Sequence, residues 1–93
     1  MRSVEYSLSE KLIMFTQDGC GACEAVKKKL KKAFREGKIV EYNLKNKKVR
    51  DLAIELGIVA TPTFASVKGQ EVCVLDSNLN PIVCRKVKHR VIL

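Results

Sequence analysis

The chain has no apolar run long enough to cross a bilayer as a helix, which sets aside a membrane-spanning role read from hydropathy. It has no tryptophan, and its few aromatic residues are not interleaved with its lysines. That argues against a surface that stacks nucleic-acid bases on side chains. The single histidine, His89, lies among Lys86, Lys88 and Arg90 and reads as a surface residue rather than a catalytic base. No repeat, linker or low-complexity segment divides the 93 residues, which suffice for one small domain with one core. The N-terminal stretch, residues 1 to 10, lacks the apolar centre and small-residue cleavage site of a signal peptide, so the expectation is a cytoplasmic protein in a reducing environment.

What the chain does have is a stretch running from Leu12 to Cys23, Leu-Ile-Met-Phe-Thr-Gln-Asp-Gly-Cys-Gly-Ala-Cys. Leu12 to Phe15 reads as a short hydrophobic strand, and Asp18-Gly19 and Gly21 mark a loop. From Cys23 onward, Val26, Leu30, Ala33 and Phe34 recur at helical spacing between Glu and Lys. Two cysteines therefore sit where a strand hands over to a helix. The first turn of a helix presents unpaired N–H groups and the positive end of the peptide dipoles, and both favour thiolate over thiol. A cysteine there can have its pKa lowered from about 8.5 toward neutrality. Cys20 is the expected nucleophile, and Cys23, three positions along, is the expected resolving thiol that attacks a mixed disulfide formed at Cys20.

The formal net charge is +8, and much of it comes from Lys27, Lys28, Lys29, Lys31, Lys32 and Arg35 on that one helix, with Lys45, Lys47, Lys48 and Arg50 further on. The cluster is compatible with a phosphate-facing surface or with steering toward an acidic protein partner. The favoured reading is a solvated helix face, so nucleic acid is not the expected partner.

Along the chain, residues 1 to 10 read as a polar lead-in with a short strand around Val4-Glu5-Tyr6. A first strand covers Leu12 to Thr16, one helix runs from about Cys20 to Glu36, and Gly37 caps it. Lys38 to Leu44 is a second strand. Asn46 caps a helix carrying Val49, Leu52, Ala53 and Leu56, which Gly57 ends. Thr63 to Val67 and Val72 to Leu75 read as an antiparallel pair around a Lys68-Gly69-Gln70 turn. Residues 76 to 93 form an element of open type. Val83, Val87 and Val91 fit a helical stripe with Asn80 as cap and Pro81 at its first position, and they also fit one strand face; the reading leans to helix.

Taken together, this order of elements, the Cys20-Gly21-Ala22-Cys23 pair at a helix start and the Ala60-Thr61-Pro62-Thr63 strand start about forty residues later resemble the thioredoxin and glutaredoxin superfamily over roughly Leu12 to Leu75. The resemblance implies an α/β, thioredoxin-like fold with a central mixed sheet of about four strands flanked by helices. It implies a cis Pro62 beside the dithiol, with Thr61 offering backbone groups to an extended substrate strand, and a substrate-binding rim of Gly21, Ala22, Thr61 and Pro62. The activity it implies is reduction of protein disulfides through the dithiol. No bound cofactor or metal is implied. The electron donor would be a thioredoxin-reductase-type flavoenzyme and the partners disulfide-containing proteins, with no membrane.

The chain departs from the family pattern at several places. Gly19 stands where a tryptophan precedes the motif, and Met14 occupies the strand position where thioredoxins bury an aspartate. The Gly-Gly pair and acidic residue typical of glutathione-using glutaredoxins are not matched, the corresponding region being Leu75-Asp76-Ser77-Asn78. A glutathione-dependent glutaredoxin-like protein remains one alternative. A non-enzymatic binding module with a basic, nucleic-acid-facing helix is another.

Cys73 and Cys84 lie outside the family pattern. A hairpin centred between Asn78 and Leu79 would bring them face to face, at about 4.5 to 5.5 Å between Cβ atoms, which a disulfide can close. The competing reading, favoured for a cytosolic chain, takes both as small buried hydrophobes. A zinc site built from Cys20, Cys23, Cys73 and Cys84 is a further alternative, though ten residues separate the second pair, far more than close-spaced zinc ligands.

Overall fold

The computed structural model describes residues 11–87. The expected strand at Val4-Glu5-Tyr6, His89 and the final residues of the C-terminal element lie outside them.

The elements run β1 (Lys11–Thr16), α1 (Gly21–Lys29), α2 (Lys31–Arg35), β2 (Ile39–Asn43), α3 (Lys47–Leu56), β3 (Thr63–Lys68), β4 (Glu71–Leu75) and β5 (Pro81–Lys86). The strands form one sheet in the order β2-β1-β3-β4-β5. β1 pairs with β2 in parallel and with β3 antiparallel, and the β3-β4 and β4-β5 pairs are both antiparallel. The sheet is therefore mixed, and helices cover both of its faces.

That layering explains why β1 is an unbroken apolar run. Alternate side chains of a strand point to opposite faces, and a strand flanked by helices on both must bury both. Ile13 and Phe15 point to one face, with Ala65, Val67 and Val72, and pack against Leu52, Ala53 and Leu56 of α3. Met14 points to the other, where it packs with Ile39 and with Cys23 of α1 and is flanked by Val26, Leu30, Phe34 and Phe64. Phe15 also meets Tyr42 edge to face, the ring centroids 5.9 Å apart.

Asn46 caps α3 as its sequence indicates, its side-chain oxygen accepting from the N–H groups of Lys48 (2.8 Å) and Val49 (3.4 Å). Gly57 closes the same helix at φ +74°, a left-handed conformation that any side chain would resist.

Two expectations are corrected. The single helix from Cys20 to Glu36 is two, because Leu30 adopts φ −106° and ψ 23°, outside the helical basin, although its N–H still donates to the Val26 carbonyl at 2.9 Å. The C-terminal element is a fifth strand rather than a helix, so the sheet has five strands instead of about four. Asn80 and Pro81 do not start a helix there. Asp76 Oδ1 accepts from the N–H groups of Asn78 and Asn80, both at 2.9 Å, and the loop folds back with Leu79 at φ +64°. Pro81 then opens the outermost strand, where its missing N–H removes no inner ladder bond.

Candidate functional site

The loop after β1 must reverse the chain before α1, and Gly19 does so at φ +78°. Asp18 anchors this loop to the end of β2, accepting from Asn43 Nδ2 at 3.2 Å and facing Lys45 Nζ at 3.5 Å. Cys20 then serves as the N-cap of α1, in extended backbone geometry. Its sulfur occupies the place usually taken by a Ser, Thr, Asp or Asn oxygen, accepting from the Cys23 N–H at 3.0 Å.

The second cysteine is treated differently by the fold. Cys23 is 1% exposed and belongs to the core beneath α1, while Cys20 is half-buried. The two are joined as a disulfide, their Cα atoms 5.2 Å apart. Gly21 and Ala22, between them, are exposed.

The opposite wall comes from the segment entering β3. The Thr61–Pro62 peptide bond is cis, and Thr63 Oγ1 donates to the Ala60 carbonyl at 2.6 Å, closing the turn around it. Thr61 touches Cys20 twice: its hydroxyl donates to Sγ at 3.6 Å, and its carbonyl oxygen lies 3.7 Å from the same sulfur. A cysteine pair at a helix N-terminus, on a β-α-β-α-β-β core with the residue before a cis proline against the first sulfur, decides the architecture. The fold is thioredoxin-like.

No protein-family model matches this thioredoxin-like chain, and no curated protein matches it in sequence. Among solved structures, it is similar to thioredoxin O2 from Arabidopsis thaliana in its oxidized state, at 17% identity and a TM-score of 0.49, over 72% of this chain and 67% of that one. It is also similar to a thioredoxin-like protein from Clostridium perfringens, at 25% identity and a TM-score of 0.49, over 87% of this chain and 61% of that one.

Two features of this site were not legible in the sequence. One is the Thr61 hydroxyl, since only its backbone was expected to matter, and nothing in a spacing of 41 residues says where a side chain points. The other is a polar cluster on the α1 side of the sheet. Thr16, 1% exposed at the end of β1, donates to Glu41 Oε2 at 2.7 Å, and Lys27 Nζ sits 3.1 Å from Glu41 and 3.1 Å from Glu24. The Thr16 hydroxyl, and then Lys27, hold the Glu41 carboxyl below the usual carboxylate range, and Glu41 and Glu24 raise the Lys27 ammonium. The signal is a glutamate in the middle of the strand Ile39-Val40-Glu41-Tyr42-Asn43, where the register sets it directly opposite Met14.

Met14, whose presence at this strand position is the departure from the family pattern noted above, is fully buried and packs with Cys23, so Glu41 on the adjacent strand is the acid nearest in register. The four cysteines are not brought together. Cys73 and Cys84 form a separate disulfide between β4 and β5, their Cα atoms 4.0 Å apart, which replaces both the buried-hydrophobe reading and the four-cysteine zinc site. Among the described residues no helix is long and apolar enough to cross a membrane.

Proposed function

We propose that this chain is a thiol–disulfide oxidoreductase that reduces protein disulfides, with Cys20 as nucleophile and Cys23 as resolving thiol. The observation that carries the reading is the asymmetry of the pair. One sulfur is accessible and caps a helix, and the other is buried behind it.

In the reduced protein, Cys20 Sγ has the Cys23 N–H and the Thr61 hydroxyl as donors and the α1 dipole behind it, all of which favour the thiolate. The Cys20 thiolate attacks one sulfur of a substrate disulfide and expels the other as a thiolate, giving a mixed disulfide. Cys23 then attacks Cys20 Sγ, which releases the second substrate thiolate and closes the Cys20–Cys23 disulfide. Two electrons pass to the substrate. Gly21, Ala22, Thr61 and Pro62 form the rim, and the backbone of Thr61 pairs with an extended substrate segment. A flavoenzyme of the thioredoxin-reductase type returns the electrons, in a reducing compartment such as the cytoplasm. The glutathione-dependent alternative is not favoured, because Asp76 Oδ1, the acidic candidate after β4, is engaged in closing its own loop.

Insulin reduction tests the reading. Neither Cys20→Ser nor Cys23→Ser turns over, and Cys23→Ser accumulates a mixed disulfide through Cys20. Wild-type activity in Cys20→Ser overturns it.

A further inference from the structure

The Cys73–Cys84 disulfide is not used by that mechanism, and its surroundings are unlike those of a buried structural bridge. All six residues of β5 are exposed, and only Val87, just beyond the strand, is buried. Cys84 is exposed and Cys73 half-buried. The pair lies on the rung Ile39–Leu12–Ser66–Cys73–Cys84, on the face that α1 and α2 cover only as far as β3. At this end of the rung the bridge is open to solvent.

The ladder adds a second observation. The Val87 N–H donates to the Gln70 carbonyl at 2.9 Å, so residues 70 and 87 are a hydrogen-bonded pair. Hydrogen-bonded and non-hydrogen-bonded pairs alternate along antiparallel strands, which makes Cys73 and Cys84 a non-hydrogen-bonded pair. The backbone N–H and carbonyl of Cys84 therefore point away from β4, to the outer edge of the sheet. Among the described residues no strand pairs with that edge. An exposed disulfide cysteine on an extended segment whose outer edge no described strand pairs is the form of substrate that the Thr61 backbone accepts by strand addition.

We propose that Cys73–Cys84 is a second, reversible redox couple, reduced by the Cys20/Cys23 dithiol of another copy of this chain. The transfer is intermolecular because the two sites are remote. Four residues along β1 and three strands across the sheet separate Cys84 from the end of β1, about 20 Å in all. The Cys20 thiolate of one copy attacks Cys84 Sγ of the other, Cys84 being the more exposed residue of the bridge, and Cys73 leaves as a thiolate. Cys23 then attacks Cys20 Sγ and frees Cys84 as a thiolate. The first copy ends as the Cys20–Cys23 disulfide and the second as the Cys73/Cys84 dithiol, two electrons having moved.

The proposal rests on the reading of Cys20 as nucleophile, and the experiment separates the two. Fully reduced wild-type protein labelled with ¹⁵N is mixed with unlabelled Cys20→Ser/Cys23→Ser protein carrying the oxidised Cys73–Cys84 bridge. After acid quench and alkylation, mass spectrometry counts thiols in each isotopic species. The same donor is assayed on insulin in parallel. The expected result is reduction of the acceptor bridge at least about tenfold faster than by the same thiol concentration of reduced glutathione, as the larger thiolate fraction of a lowered-pKa cysteine dictates. A Cys23→Ser donor should be trapped as a Cys20–Cys84 mixed disulfide. Insulin reduction with the acceptor bridge left intact, or reduced no faster than by glutathione, overturns the proposal and leaves the proposed function standing. Failure on both substrates overturns both, and bridge reduction without insulin reduction supports the proposal with a narrower substrate range. A Cys20→Ala/Cys23→Ala acceptor replaces the serine variant should circular dichroism show that the latter is unfolded.

Discussion

Thr61 donates its hydroxyl to Cys20 Sγ at 3.6 Å from the residue immediately before the cis proline. The contact ties the start of β3 to the helix start that carries the reactive sulfur. A hydroxyl that donates to a thiolate stabilises it, and valine keeps the shape of threonine without the donor. In the reduced Thr61→Val protein, alkylation of Cys20 by iodoacetamide at neutral pH should be about threefold to tenfold slower, the effect of weakening one hydrogen bond to a charged group. An unchanged rate would assign the thiolate entirely to the α1 terminus.

The accessible and buried cysteines should also separate in a simple labelling experiment. One equivalent of iodoacetamide added to the reduced protein should modify Cys20 in large preference to Cys23, which is 1% exposed. Peptide mapping checks this, and equal labelling would remove the asymmetry on which the roles depend.

Glu41 gives a pH signature. Its carboxyl titrates below the ordinary value of 4.5 because Thr16 and then Lys27 bind the ionised form. A lowered folded-state pKa contributes stability that is present above the unfolded value and lost as pH falls through the folded one. Glu41→Gln should therefore cost stability near pH 7, by about 1 kcal/mol after discounting for solvent screening, and the difference from wild type should vanish in strongly acidic solution. Urea titrations at a series of pH values measure it. A constant difference across the acid range would mean that the loss is one of packing.

Asn46 caps α3 through two backbone N–H groups, and α3 supplies Leu52, Ala53 and Leu56 to the larger core. Asn46→Ala should lower the unfolding free energy by about 1 kcal/mol without changing insulin reduction, since the cap lies away from the dithiol. Loss of activity at unchanged stability would show that α3 positions the site more directly than its packing implies.

Much of this protein was set locally, by residues whose preferences do not depend on distant partners. The apolar run of β1, the cysteines at the start of α1, the Asn46 cap, the Gly57 stop and the β3-β4 pair all follow from neighbours within one or two turns. Other features needed the assembled sheet. Val83 and Val87 suit a helical stripe and a strand face equally well, and the choice fell to strand because β4 offers an edge that pairs with Val83 to Lys86 in continuous register and, past a bulge at Ile82, with Pro81. Leu30 carries no glycine or proline signal, yet the chain leaves helical geometry there. The hydroxyl of Thr61 against Cys20, the carboxylate of Glu41 on Thr16 and Lys27, and the bridge between Cys73 and Cys84 join residues 11 to 41 positions apart or lying on different strands and helices. Sequence periodicity reports which face a side chain takes within its own element. Only the packing of elements against one another decides what that face meets.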